Sequence, residues 1–267
     1  MRHRGKGRSE PKRAEVYCAG HQRLPFGLFA RAQSREYLQC QANHPLRDYH
    51  KLQSNRHNAS MRGDLLPIFP LQTVLLPRAP LPLHIFEDQY KEMVRDVILA
   101  DGEFGVVLAR EGGLLNIGCT ARIDRILQQF EDGRLDLIAV GQQRFRIVTI
   151  DSERSYLRAE VEEMEDDDFA PVPESKLSEA LLLHAQCTLA DGDNTETPGP
   201  DEPLLSFVLG AISPDVEFHQ LLLGMRSEAR RIELVAAHLA QLVRRREVEQ
   251  AMRNTARTNG HGKHWKG

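Results

Sequence analysis

The chain has 267 residues, of which 41% are hydrophobic and 27% carry a charge, and its formal net charge is −3. This length is enough for one or two domains with a substantial apolar core, and the composition is ordinary for a soluble protein. The four cysteines are far apart and form no CxxC pair, which argues against a zinc knuckle and a dense disulfide scaffold. Free thiols in a reducing cytoplasm are therefore expected.

The longest apolar region, residues 65–86, does not have the character of a membrane-spanning helix. It contains Gln72, Arg78, His84 and five prolines, and each proline removes a backbone donor and interrupts a helix. The first residues, MRHRGKGRSEPKR, are not followed by an apolar segment, so we expect no secretory signal. No association with a membrane is expected.

Charge divides the chain into two parts. Residues 1–60 hold 12 basic and 4 acidic residues, a net charge of +8, whereas residues 61–267 carry a net charge of −11. The first part shows no sustained apolar period, so we expect residues 1–60 to be a disordered basic extension, or to come from an over-extended reading frame with Met61 as the natural start. A nucleic-acid-binding arm and an organelle transit peptide are the alternatives.

From Leu65 the pattern is that of short strands with one helix. Prolines divide LLPIFPL and TVLLP into strand-sized pieces, and residues 81–86 form another. Residues 88–99 have apolar side chains at helical spacing, and Asp88 is expected to cap that helix. Glycine-containing turns at 112–113 and 131–134 separate further predicted strands, which cover residues 104–109, 117–129, 135–141, 145–151 and 156–164.

This count of strands predicts a closed or nearly closed antiparallel barrel over residues 61–168, because open edges would invite aggregation. The period then becomes helical. Helices are expected over residues 173–189, 204–212, 213–223 and 227–249, with Ser213 and Pro214 as the N-cap and first residue of the third. The prediction is therefore an α+β chain in which a helical bundle at 173–249 follows the barrel and residues 250–267 form a disordered tail.

Several motifs carry a resemblance to a known family. They are LPIFPL at 66–71, VLLP at 74–77, LPLHIFE at 81–87, FGVVL at 104–108, GQQRFRI at 141–147 and LSFVLGAISPD at 205–215. Together they resemble the N-terminal, substrate-recruiting domain of the Lon protease family, over about residues 65–246. The resemblance implies a PUA-like β-barrel followed by a helical bundle. Arg78 stands where the family usually has glycine, so the turn after Pro77 is expected to differ in shape.

The catalytic parts of that family are not expected in this chain. Its ATPase module needs a GxxxxGK[ST] loop to hold phosphates, and no such string occurs. Fewer than 30 residues follow the region of resemblance, too few for a protease domain. We therefore expect a non-enzymatic protein without cofactor or metal.

The expected function is recognition of unfolded or client polypeptide, linked to proteolysis or protein quality control. Pro82, Phe86 and Phe104 are the residues expected to line the binding surface, and the expected partners are polypeptide clients or a partner protease or chaperone. An RNA-binding PUA-like module is one alternative, although the charge of −11 disfavours nucleic acid. An uncharacterised hydrolase is another.

Polar residues give weaker signals. His84 lies in an apolar strand without partners at ligand spacing, which favours a buried, hydrogen-bonded histidine over a metal ligand. His184 and Cys187 are three residues apart near Asp191 and Asp193, a pattern more typical of one core and one surface position on a helix than of zinc. The acidic run at 162–168 is expected to be a solvated linker, with cation binding as the alternative.

Overall fold

The computed structural model describes residues 65–190 and 197–259, with side chains as far as Thr255. The predicted basic extension at 1–60, Met61, Asp191 and Asp193, and the end of the predicted tail at 260–267 lie outside these residues. The described residues form two compact units. The first holds residues 65–75 and 80–163, and the second holds 76–79 and the described residues from 164 onward.

The first unit contains all six strands and one helix, which confirms the α+β class. The strands are β1 (Leu66–Leu71), β2 (Pro80–Ile85), β3 (Phe104–Arg110), β4 (Gly113–Gln129), β5 (Leu135–Asp151) and β6 (Leu157–Glu163). Helix α1 (Asp88–Leu99) lies between β2 and β3. The two strands predicted on either side of residues 142–144 are one strand, β5, because a register shift between Gly141 and Arg144 in its pairing with β4 lets it bend without ending.

The sheet closes on itself. Its strand order is β2-β5-β4-β3-β1-β6, and β5 also pairs with β6, so five strands form a closed cycle of pairings and β2 is added beside β5. One pairing, between β1 and β3, is parallel. The prediction of a purely antiparallel barrel was wrong at this point, because the connection from β1 to β3 runs through β2 and α1 and is long enough for a parallel crossover.

Apolar side chains from several strands fill the interior of this unit. Leu66, Ile68, Val107, Phe145 and Ala159 form one cluster in which every member is at most 3% exposed. Gly105 lies beside it, and a Cβ atom there would come within 2.6 Å of Phe145 Cζ. Glycine is therefore required at this position by close packing and not by backbone conformation.

Helix α1 has the predicted bounds, but its cap differs from the prediction. Glu87 is the N-cap and makes no side-chain cap hydrogen bond, while Asp88 is in the first turn. A carboxylate there still stabilises the positive end of the helix dipole. The buried residues Tyr90, Met93 and Val94 hold the helix against the unit, and burial raises the pKa of Tyr90 to about 12.

The second unit is helical. It contains α2 (Glu174–Ala190), α3 (Leu205–Gly210), α4 (Val216–Gly224) and α5 (Glu228–Asn259). Helix α4 is capped by Asp215, whose carboxylate accepts hydrogen bonds from its first turn, and not by Ser213 as predicted. Helix α5 continues to Asn259, so residues 250–259 are helical and the predicted tail begins too early.

The second unit contains a buried charged residue, Arg231, with several polar partners. Its side chain is fully buried, and its guanidinium stacks on the Phe207 ring with the charged carbon 4.6 Å from the ring centre. It binds Asp166, Glu228 and the Ser206 hydroxyl. A charge in such a position is tolerated only when it is fully paired, so these contacts fix the start of α5 against α3 and the segment at Asp166.

Arg78 adopts a left-handed backbone conformation, with φ of 67°. Arginine thus takes here the backbone conformation that glycine adopts most easily. Its guanidinium ion-pairs with Glu202 and donates to the Pro203 carbonyl at 2.9 Å. These contacts offset the strain of about 1 kcal/mol that a side chain incurs in this region.

Candidate functional site

Alternation along β2 separates a buried face from an accessible one. Leu81, Leu83 and Ile85 are at most 6% exposed and point into the unit. Because successive side chains of a strand point to opposite sides, Pro82 and His84 lie on the outer face. Phe86, immediately after the strand, continues this alternation and is 38% exposed.

Three aromatic rings meet at this end of β2, and we call His84, Phe86 and Phe130 the aromatic cluster. The His84 ring is stacked on that of Phe86 with centroids 5.9 Å apart, and Phe130 meets the His84 ring edge-on at 6.1 Å. The guanidinium carbon of Arg134 lies 4.7 Å from the centre of the Phe130 ring. The cluster therefore presents aromatic surface beside a positive charge.

Polar contacts hold the cluster in place. His84 Nδ1 is 2.5 Å from Asp136 Oδ1, across the β2–β5 pairing. Arg134 Nε donates to Asp132 Oδ2 at 2.7 Å, and the backbone N–H of Arg134 also donates to Asp132, which lowers the pKa of that carboxyl. Gly133 completes the turn with φ of 82°. These contacts orient the His84 ring, which lies against Phe86, and the Arg134 guanidinium, which lies against Phe130.

The three residues that the sequence suggested for a binding surface do not lie on one surface in the structure. Pro82 is part-exposed and Phe86 is exposed, on the same side of β2. Phe104 is fully buried and packs against Phe69, with ring centroids 6.1 Å apart, so it offers no surface for contact. Sequence reasoning missed Phe130, whose proximity depends on the β4–β5 turn and its register with β2.

The acidic run pairs with arginines at the start of α5. Asp166 binds Arg231, and Asp167 lies 3.1 Å from Arg226. The backbone N–H groups of Asp167 and Asp168 both donate to the Arg226 carbonyl. A cleft of about 390 Å³ lies here, between these acids and residues 225–230. The run is therefore an exposed linker, as the sequence predicts, with the Asp167 side chain 58% exposed, and its final part is in addition ion-paired.

A serine–histidine contact in the second unit resembles part of a hydrolase site. Ser213 Oγ is 2.8 Å from His238 Nε2. Ser213 is only 3% exposed, however, and its Oγ also accepts the N–H of Asp215. The His238 ring is stacked on Phe218 at 3.8 Å. A nucleophile must reach a substrate carbonyl, so this contact serves helix packing.

His184 and Cys187 are both buried on α2, so the prediction of one core and one surface position was wrong for this pair. Within residues 65–190 and 197–259, no group of three or more His, Cys, Asp or Glu side chains is arranged to hold a metal ion. In the same described part of the chain, no helix combines the length and the apolar character needed to cross a bilayer.

A sheet in which five strands form a closed cycle of pairings, followed by a helical unit, defines a small α+β domain. Residues 65–241 match the family model of the ATP-dependent protease La (LON) substrate-binding domain. The chain therefore belongs to this family of Lon substrate-binding domains.

Curated relatives match over a limited region. The chain is 33% identical over 111 residues to Lon protease 2 of Myxococcus xanthus, a match that covers 38% of this chain and 13% of that protein. It is 30% identical over 111 residues to Lon protease of Anaeromyxobacter dehalogenans, again with 38% and 13% covered. The match thus spans about an eighth of the length of these relatives.

A solved structure agrees with the fold. The Lon N-terminal domain protein from Xanthomonas campestris superposes with a TM-score of 0.54 at 28% sequence identity. The match covers 65% of this chain and 98% of that one. Nearly all of that solved chain thus corresponds to a part of this one.

Proposed function

We propose that this domain binds segments of unfolded or client polypeptide at the aromatic cluster, without catalysing a reaction. The main observation that supports this proposal is the Phe86 ring, which is 38% exposed and stacked on His84 in a domain of the Lon substrate-binding family. Aromatic side chains in fixed positions are typical anchors of protein interfaces.

The physical basis is apolar burial with little loss of side-chain freedom. Covering aromatic surface contributes about 25 cal/mol per Å². The stacking of Phe86 on His84, and of Arg134 on Phe130, restricts these side chains before binding. A surface that is already ordered loses less entropy when a ligand binds.

We also propose binding partners and a cellular compartment for the domain. Clients would be delivered to, or received from, a partner protease or chaperone, because the sequence has no GxxxxGK[ST] loop with which to use a nucleotide itself. A reducing cytoplasm is the proposed compartment, and the buried thiols of Cys119 and Cys187, which are outside any disulfide, support it.

Binding is tested by fluorescence anisotropy with fluorescein-labelled, reduced and carboxymethylated α-lactalbumin, which remains unfolded. We expect saturable binding to the wild-type protein and about tenfold weaker binding by Phe86→Ala, as for an interface anchor. Phe169→Ala is the matched control, because Phe169 is 84% exposed and lies outside the cluster. Absence of binding up to high micromolar concentrations, or equal loss in both variants, would contradict the proposal.

A second assay addresses the absence of catalysis. Purified protein is incubated with casein, with and without ATP, and peptide release is measured. We expect no turnover in either condition. Turnover that survives repurification would instead support the hydrolase alternative.

A further inference from the structure

The edges of the three-stranded part of the sheet, β2–β5–β4, differ in their capacity to accept another strand. β3 pairs with β4 only as far as Ala121. Within the described part of the chain, residues 122–129 of β4 are paired with β5 alone. At the opposite edge, β2 is likewise paired with β5 alone. Each edge strand leaves some backbone groups directed away from the sheet.

The β2 edge is poorly suited to pairing. Residues of β2 alternate between those that bond to β5 and those directed outward. Pro80 and Pro82 share one set in this alternation, and neither has an N–H to donate. Prolines at an edge protect it against added strands.

The β4 edge retains its donors. The N–H of Phe130 donates to the Arg134 carbonyl at 2.9 Å. Hydrogen-bonded and non-bonded pairs alternate in an antiparallel ladder, so the next pair, Gln129–Leu135, leaves the N–H of Gln129 directed to the free edge. No proline occurs in residues 122–129.

The side chains along this edge include isoleucines on one face of the sheet and arginines on the other. Ile123 and Ile126 pair with Ala139 and Leu137, both at most 1% exposed, and so lie on the buried face of the sheet, yet Ile126 is 46% exposed. Arg122 and Arg125 pair with the neighbouring residues of β5 and lie on the other face, where Arg122 Nε is 3.7 Å from Glu103 Oε1 in an exposed ion pair. Nε of Arg125 is buried and has no hydrogen-bond partner among the described residues.

We infer that residues 122–129 of β4 form a pairing edge for an extended client segment in which apolar and acidic side chains alternate. The backbone of the segment bonds to the free edge of β4. Its apolar side chains lie beside Ile123 and Ile126, and its acidic side chains lie beside Arg122 and Arg125. The inference rests on the proposed polypeptide binding and specifies its mode and its preferred segment.

Two irregularities limit the length of this pairing. Register shifts between Ile123 and Arg125 and between Ile126 and Gln128 place bulges in β4. Bulges bend an edge and interrupt regular pairing. The docked segment therefore bonds to a few residues only, which suits a complex that releases its client readily.

The first test uses a fluorescein-labelled ten-residue peptide of alternating valine and glutamate, measured by anisotropy with the full chain. A peptide of alternating valine and lysine is the control, and we expect its binding to be at least about tenfold weaker because charge-assisted contacts are lost. Equal binding of the two peptides would overturn the inferred preference for acidic segments.

The second test isolates the backbone. Gln129→Pro removes the outward N–H, and Gln129→Ala removes the side chain but keeps that N–H. We expect about tenfold weaker binding for the proline variant and less than twofold change for the alanine variant, since a main-chain hydrogen bond supplies the affinity. Equal binding by both variants would overturn the inference.

Hydrogen exchange of the wild-type protein does not depend on how a variant folds. With the valine–glutamate peptide at saturation, we expect the amides of Ile126 and Gln129 to exchange at least about tenfold more slowly. Binding of unfolded α-lactalbumin or peptide without this protection overturns the pairing edge and leaves the proposed function intact. Failure to bind any polypeptide overturns both.

Discussion

Arg231 and Asp166 form a two-pronged ion pair in the second unit, with Nη1–Oδ1 at 2.6 Å and Nη2–Oδ2 at 2.5 Å. The two residues are 65 positions apart in sequence. Because the Arg231 side chain is fully buried and that of Asp166 is 19% exposed, the pair joins the segment leading into the unit to its longest helix.

Loss of one partner of this pair should destabilise the second unit. We expect Asp166→Asn to lower the free energy of unfolding by about 3 kcal/mol, because the buried guanidinium of Arg231 then lacks one of the carboxylates that neutralise it. Guanidinium chloride unfolding followed by far-UV circular dichroism measures the change. Glu179→Gln is the control, since its ion pair with Lys176 is exposed and worth at most about 1 kcal/mol. Equal effects of the two substitutions would contradict the assigned role of Arg231.

Two substitutions of Arg78 distinguish the effect of backbone strain on stability from the effect of side-chain contacts. Arg78→Ala and Arg78→Gly both remove the contacts with Glu202 and Pro203, but only glycine adopts a positive φ without strain. We therefore expect the glycine variant to be more stable than the alanine variant by about 1 kcal/mol. Thermal unfolding of the two variants side by side gives this difference. A more stable alanine variant would mean that the turn does not hold a left-handed residue.

Two histidines predict a dependence of stability on pH. Burial lowers the pKa of His219 and of His238 below the usual 6.5. Nearby Asp215 opposes this shift for both, and Arg245 adds to it for His238. Below pH 6.5 the unfolded chain therefore binds more protons at these sites than the folded chain. The contribution of the two histidines to the free energy of unfolding is thus fully present above pH 6.5 and is lost as the pH falls.

Denaturant unfolding at a series of pH values checks this dependence. We expect the double variant His219→Gln, His238→Gln to lose less stability on acidification than the wild-type protein does. Parallel pH profiles for the two proteins would show that these imidazoles are not the groups responsible.

Close packing at Gly105 predicts a large effect from one added methyl group. In Gly105→Ala the new Cβ would lie within 3 Å of Phe145, Leu66 and Ile68. We expect a loss of about 1–3 kcal/mol from overpacking. Gly112→Ala is the control, because nothing lies within 4 Å of its Cβ position and its φ is not positive. Comparable stability of the two variants would mean that the core accommodates the methyl group by rearrangement.

Local patterns predicted most of the elements. The spacing of Tyr90, Met93 and Val94 gave helix α1 its bounds, and the turn residues at 131–134 located the β4–β5 hairpin. These features depend on neighbours in sequence. The parallel β1–β3 pairing and the continuity of β5 depend on contacts between distant segments, which no local pattern contains.

The candidate site shows the same division. Phe86 follows from the alternation of β2, which places it on the side opposite the buried Ile85. Phe104 also begins an apolar strand, but it is fully buried and Phe69 of β1 packs against it, and only the packing reveals this. Phe130 and Arg134 join the cluster through the register of β2 with β5, which the sequence alone does not specify.

The placement of two thiols gives each unit its own chemical reporter. Cys119 in the first unit and Cys187 in the second are buried and outside any disulfide, and burial raises the pKa of Cys119. An alkylating reagent reacts with the exposed thiolate, so each cysteine is labelled only when its unit opens. With Cys18 and Cys40 replaced by serine, the labelling rates of the two remaining cysteines report the opening of barrel and helices separately, within one molecule.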